Sequence, residues 1–326
     1  MHSIEARAEE NVVHWTVSVP CSSIGSLPNA MMNNTAPPSA GLHQRPRLAS
    51  THYQWGFPLH GNEHWLDSFT NYFTSVDVQI LPNYEDDRPT TYDFTSAHMN
   101  GLSGAQAAMR ARELLVLFNG VMFVRDGLNF NPFSIGEGYD LWSHSPARVD
   151  YVRAVPVPMF PDDVEYLRYF RHSERTLDPT SKQLFLARSD RYLRVIFRTL
   201  GREGISFVSL SKVKDTIAAH LQLSGKKATR AELAALGGMT ANDVENFDWT
   251  ANNFDVAGED ARHGLNAKFK PSARLKALTL EEAAKVMFPI IRGFVRERVD
   301  ETFDQQWAAV QIDNVEGVDP PIPLPE

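Results

Sequence analysis

Asp178-Pro179-Thr180-Ser181-Lys182-Gln183-Leu184-Phe185-Leu186-Ala187-Arg188-Ser189-Asp190-Arg191-Tyr192-Leu193-Arg194-Val195-Ile196-Phe197-Arg198-Thr199-Leu200-Gly201 is the stretch on which the fold class turns. Asp178 followed by proline is a good helix start, because the ring's fixed φ and missing N–H suit the first helical position. Phe185, Tyr192, Ile196 and Leu200 recur at helical spacing, with Leu186, Leu193 and Phe197 beside them. Gly201 is a natural stop. The spacing predicts one helix over 178–201. Before this stretch apolar residues alternate as they do in strands, and after it the strand patterns disappear. The chain therefore reads as α+β: a small N-terminal sheet with one main helix, followed by an all-α bundle.

Upstream, Val13, Trp15, Val17 and Val19 alternate with polar residues, and residues 20–47 fill with Pro, Ser, Asn and Gly as a long loop does. Tyr53, Trp55, Phe57 and Leu59 alternate again, followed by an aromatic segment around Trp65, Phe69 and Phe73. Val76, Val78 and Ile80 form another strand pattern that ends at Leu81-Pro82-Asn83. Ser103 with Gln106 spells a capping box, and Ala105, Ala108, Met109, Leu115 and Met122 follow at helical spacing. Strand candidates come next over Asn129 to Leu141 and over Val149 to Val157.

Downstream, a helix carrying Leu210, Val213, Ile217 and Leu221 stops before Gly225. Another begins at the box Thr229…Glu232 and breaks at Gly237-Gly238. A further one carries Val244, Phe247 and Ala251, and the last begins at the box Thr279…Glu282, with Pro289 expected to kink it. The proline-rich end reads as extended and solvated. These patterns divide the chain into an N-terminal strand and loop (1–47), an α+β domain (48–160), a helical domain (161–312) and a tail (313–326).

The bulk composition narrows the function classes. The chain has 326 residues, of which 43% are hydrophobic and 22% charged, with a net charge of −8. That suits a globular protein and argues against a chain that coats nucleic acid over its whole surface. A single cysteine, Cys21, excludes an internal disulfide and a Cys-based zinc site. The N-terminal residues are polar and acidic, unlike a secretory signal, and the longest apolar run, Leu114 to Val124, is too short to span a bilayer. A cytoplasmic chain is expected. No Gly-rich phosphate loop, Gly-x-Ser-x-Gly elbow or His-Glu-x-x-His helix is present. His60 and His64, with His52 and His98 nearby, could be read as a metal set. Gly61 and Asn62 weaken a helix there, however, and no third ligand stands ready, so no metal or cofactor is expected.

Two polar groupings remain. Arg188, Arg191, Arg194, Arg198 and Arg202 fall on one side of the predicted 178–201 helix and its exit, and could track a phosphate backbone. They could equally be solvated or matched by nearby acids. The joint Ala251-Asn252-Asn253-Phe254-Asp255-Val256-Ala257-Gly258-Glu259-Asp260-Ala261-Arg262-His263-Gly264 strings amides, acids, an arginine and a histidine between two helical patterns. A histidine beside an arginine supplies the base and the cation that metal-independent RNA cleavage requires. The same residues could instead pair with Glu259, Asp260 or Asp255 and cap helix ends.

With the helix Leu210-Ser211-Lys212-Val213-Lys214-Asp215-Thr216-Ile217, the joint residues Thr250-Ala251-Asn252-Asn253 and Ala261-Arg262-His263-Gly264, and the closing Leu278-Thr279-Leu280-Glu281-Glu282-Ala283, residues 178–300 resemble uncharacterised bacterial proteins ending in a HEPN-like helical bundle. The resemblance implies an RNA- or partner-binding protein of phage defence or a toxin–antitoxin system, with a homo-oligomeric bundle. In its catalytic form it implies a metal-independent ribonuclease using Arg262, His263 and Asn253; in its other form, a non-catalytic interaction and dimerisation protein. In the HEPN signature the arginine stands several residues before the histidine, whereas here Arg262 directly precedes His263.

Overall fold

A computed structural model describes residues 53–147, except 74, 76, 86 and 87, together with 178–265 and 272–312. The expected strands at 13–19 and 149–157, the 20–47 loop and the tail lie outside these residues.

The N-terminal half is an antiparallel sheet backed by one long helix, so the α+β reading holds. Strand β1, Trp55–His60, buries Trp55, Phe57 and Leu59 from its alternating pattern. Asn62 then caps helix α1, Glu63–Tyr72, by accepting the His64 backbone N–H, and Leu66 and Phe69 face inward. β2, Gln79–Glu85, runs on past Pro82 and pairs with β3, Arg88–Thr95, which in turn pairs with β1. The sequence reading missed β3. Two short strands, β4 (Ser134–Ile135) and β5 (Tyr139–Asp140), line the other edge of β1 and take up part of the long strand expected over 129–141.

Helix α2, Gly104–Asp126, opens on the expected Ser103–Gln106 capping box and is buried on nearly every side. Toward the sheet, Phe118 meets Phe69, Phe73, Phe94 and Phe133 with ring centroids 5.3–6.4 Å apart. Away from the sheet, α2 packs on the helical half.

That half consists of α3 (Pro179–Leu186), α4 (Arg191–Glu203), α5 (Phe207–Leu223), α6 (Arg230–Leu236), α7 (Ala241–Asn252), the single turn α8 (Phe254–Ala257) and α9 (Leu280–Ile312). The boxes at Thr229 and Thr279 start α6 and α9 as expected, and α9 continues through Pro289.

Two expectations are corrected here. The single helix over 178–201 is two helices. The Asp190 side chain accepts the backbone N–H groups of Tyr192 and Leu193 and so starts a second helix after a turn at 187–190. Gly201 does not stop α4 but lies inside it, and the helix ends at Gly204, whose φ of 65° is the left-handed form that glycine takes without strain. Gly201 serves a tertiary contact instead: a Cβ there would lie 1.8 Å from the carbonyl oxygen of Val116 in α2. Reciprocally, a Cβ at Gly120 of α2 would lie 1.8 Å from the Phe197 carbonyl oxygen of α4. The two helices cross backbone to backbone through this pair of glycines. One hydrophobic cluster accordingly runs from Trp55 to Phe303, unbroken across the expected boundary between 48–160 and 161–312.

Candidate functional site

The five arginines separate into two environments, because the helix that was to carry them is broken. Arg188 lies in the turn between α3 and α4 and points inward. Arg191, Arg194, Arg198 and Arg202 remain on α4, whose buried side is Leu193, Ile196, Phe197 and Leu200. Arg191, Val195, Arg198 and Arg202, at successive three- and four-residue steps, form its outer stripe, about 16 Å long at ~1.5 Å of rise per residue. Val195 is 46% exposed in the middle of it.

The charges on this stripe are poorly matched. Arg198 and Arg202 each direct Nη2 to one oxygen of a single carboxylate, Glu113 of α2, at 2.5 Å. Arg194 donates Nη1 to the Arg188 carbonyl oxygen at 2.8 Å, and the Arg191 guanidinium sits 5.3 Å from the Tyr192 ring centroid. Neither Arg191 nor Arg194 meets a carboxylate among the described residues. The three guanidiniums of the stripe, with Arg194 beside it, thus have one acid between them among the described residues. This leaves an excess of positive charge on one helix face of a chain whose total charge is negative.

The joint is organised differently. Asn253 closes α7, and its side-chain amide donates back to the Trp249 carbonyl oxygen. Arg262 pairs Nη1 with Asp215 Oδ2 of α5 at 2.7 Å, and its backbone N–H donates to the Ala251 carbonyl oxygen at 2.7 Å. His263 is exposed and makes no hydrogen bond or ion pair among the described residues. No hydrogen bond joins any two of Asn253, Arg262 and His263. Arg262 therefore ties the turn to α5 and α7, while His263 faces solvent beside it.

Arg188 completes a buried cluster that the sequence reading missed. Its Nε donates to Asp77 Oδ1 at 2.7 Å, and His98 Nε2 approaches the same oxygen at 2.9 Å; the Asp77 and His98 side chains are fully buried. Burial alone would raise the Asp77 carboxyl, but Arg188 and His98 together hold it below the usual carboxylate range. Burial also pushes the His98 ring below the ordinary imidazole value, against the pull of Asp77. A neutral ring this close to a carboxylate carries its proton on Nε2 and donates it. Arg188 Nη2, 3.2 Å from that nitrogen, is then a neighbour and not a donor to it. Ser96 anchors the same turn by donating to the Asp77 carbonyl oxygen, and Arg110 Nη1 donates to the His98 carbonyl oxygen. The signal for this cluster was a lone carboxylate, Asp77, between Val76 and Val78 in an apolar pattern.

This arrangement gives a pH dependence with a defined sign. The unfolded chain takes up a proton on His98 near pH 6.5 and the folded chain resists it, so stability is present above about pH 6.5 and declines as pH falls below it. His220, lowered by burial and then by Arg298, acts in the same direction. The slope from His98 approaches ~1.4 kcal/mol per pH unit. Urea unfolding at pH 7.5, 6.5 and 5.5 should show stability dropping across that window. Equal stability at all three would refute a neutral buried His98. The Asp77 carboxyl contributes only in stronger acid, below its ordinary range near 4.

Three of the histidines weighed as a metal set fall in different elements. His60 ends β1, His64 lies in α1, and His98 is held by Asp77; His52 lies outside the described residues. Among the described residues no group of three or more His, Cys, Asp or Glu side chains could hold a metal ion, and no helix is long and apolar enough to cross a membrane. Comparison with models of protein families, with curated proteins and with solved structures gave no match to this chain.

Proposed function

We propose that this chain binds RNA along its phosphate backbone through the outer face of α4. The observation that carries the reading is the mismatch of charge there: three arginines along one face of the helix and Arg194 beside them, with Glu113 as their only carboxylate partner among the described residues. Phosphate recognition needs guanidinium groups held at the surface by a scaffold that does not have to reorganise. The glycine crossing of α2 and α4 supplies such a scaffold. The HEPN-like resemblance of residues 178–300 supports RNA as the partner, and with it a cytoplasmic, homo-oligomeric protein of phage defence or a toxin–antitoxin system.

A labelled single-stranded RNA of about 20 nucleotides, titrated at several salt concentrations, tests the reading. The wild type should bind with an affinity that falls steeply with salt, and Arg191→Glu combined with Arg198→Glu should weaken binding by more than about tenfold at low salt. No binding by the wild type at low salt would overturn the proposal.

A second reading, metal-independent cleavage by His263 with Arg262 and Asn253, has one observation in its favour: His263 is solvent-exposed, directly beside an arginine, and without a partner among the described residues. Because Arg262 is already committed to Asp215, binding without cleavage is expected when the same RNA is incubated with a chelator. Cleavage by the wild type that His263→Ala abolishes, in a folded variant, would make the joint the active site.

A further inference from the structure

We infer that Glu113 is an intramolecular competitor for the phosphates that the α4 stripe binds, an inference that rests on the RNA-binding reading above. Arg198 and Arg202 are one turn apart on α4, so the helix itself sets the separation of their roots. Left to that geometry, the two guanidinium heads can each meet a different anion. Glu113 gathers both onto a single carboxylate, one terminal nitrogen to each oxygen, at 2.5 Å. The arrangement spends two cations on one negative charge. It also turns inward, toward α2, the heads that would otherwise reach outward.

The pair is open to competition. The Glu113 side chain is 31% exposed, and those of Arg198 and Arg202 are 36% and 51% exposed. Ion pairs this wet are weak and are screened by salt, so a polyanion arriving at the stripe can displace the carboxylate. Arg191, at the other end of the stripe, has no such acid among the described residues and is free to make the first contact. Binding would then proceed from an open cation at the N-terminal end of α4 to the two masked ones further along, with Glu113 setting how readily the second part follows.

A role for Glu113 as a positioning residue makes the opposite prediction, because losing it would then weaken binding. Glu203 supplies the control. It ends the same helix and pairs with Lys212 Nζ at 2.7 Å, not with any arginine of the stripe, so Glu203→Gln changes the net charge by the same amount at nearly the same place. The experiment compares wild type, Glu113→Gln, Glu203→Gln and Arg198→Gln/Arg202→Gln, with Glu113→Gln also placed in that double background, on the labelled RNA across a salt series. Glu113→Ala serves the same comparison should the glutamine variant fail to melt cooperatively.

The expected result is that Glu113→Gln binds about three- to tenfold more tightly than wild type at low salt. Its dependence of log K on log salt should steepen by about 0.7 for each phosphate gained. Glu203→Gln should shift affinity less, and Glu113→Gln should have no effect once both arginines are gone. If the Arg191→Glu/Arg198→Glu variant weakens binding while Glu113→Gln weakens it too, or does no more than Glu203→Gln, the competitor role is overturned and the RNA-binding reading stands. Absence of RNA binding by every form, at every salt concentration, overturns both.

Discussion

Gly201→Ala is expected to cost about 3 kcal/mol of stability or more, and Gly120→Ala a similar amount. The added methyl at either position meets a backbone carbonyl oxygen at 1.8 Å, where no rotamer change can relieve it. The helices themselves must move apart by an ångström or more, which loosens the fully buried packing of Leu117 and Phe197 beside the crossing. Overpacking of side chains usually costs ~1–3 kcal/mol, and a clash between two backbones belongs at the top of that range or beyond it. Alanine's better helix propensity returns at most about 1 kcal/mol and does not change the sign. For a chain of this size the loss should lower the melting temperature by roughly 5–10 °C. Gly264→Ala is the control, since a Cβ there meets nothing within 4 Å. A variant at Gly120 or Gly201 that melts with the wild type would mean that α2 and α4 do not cross as described.

The same glycine shows why some of this fold was legible in the sequence and some was not. Features fixed within a few residues could be read: the Ser103, Thr229 and Thr279 boxes each start the helix expected of them, and the alternation of Trp55, Phe57 and Leu59 is a strand. Gly201 carries no local mark that its purpose is Val116, and by local rules alone a glycine after an apolar stripe reads as a stop. The break at Asp190 left a local signal, a capping side chain two and three residues before N–H groups it could accept, but the continuous apolar spacing from Phe185 to Leu200 outweighed it. β3 offers only Tyr92 and Phe94 as an apolar alternation, with Asp93 buried between them; its strand character comes from lying between β2 and β1. For the arginines, the sequence yielded a face but not its partners. Glu113 stands 85 residues from Arg198, and Asp77 stands 111 from Arg188, so no periodicity connects them.

That distance in sequence is what gives Asp77 its weight. Asp77→Ala is expected to destabilise the protein by about 3–5 kcal/mol, the usual cost of leaving one member of a buried ion pair without its partner. Arg188 would lose the oxygen it meets at 2.7 Å, and His98 the acceptor for its Nε2 proton, in a site where both the carboxylate and the ring are sealed from water. Arg188→Ala should cost a comparable amount, because the buried carboxylate would then be faced by a neutral ring. The two changes should not add. Once either charge is gone the other is a liability, so Asp77→Ala with Arg188→Ala should retain appreciably more stability than the single losses predict when summed. Denaturant titrations of both single variants and the double variant measure that coupling, and strict additivity would mean that the cluster is not a unit. The three residues come from the approach to β2, the turn after β3 and the turn before α4, so the cluster fixes where α4 leaves the sheet-bearing half. It does not contribute a group to the outer stripe. Below its melting temperature the double variant should therefore bind RNA as the wild type does, whereas loss of binding in the folded protein would place Arg188 within the recognition surface after all.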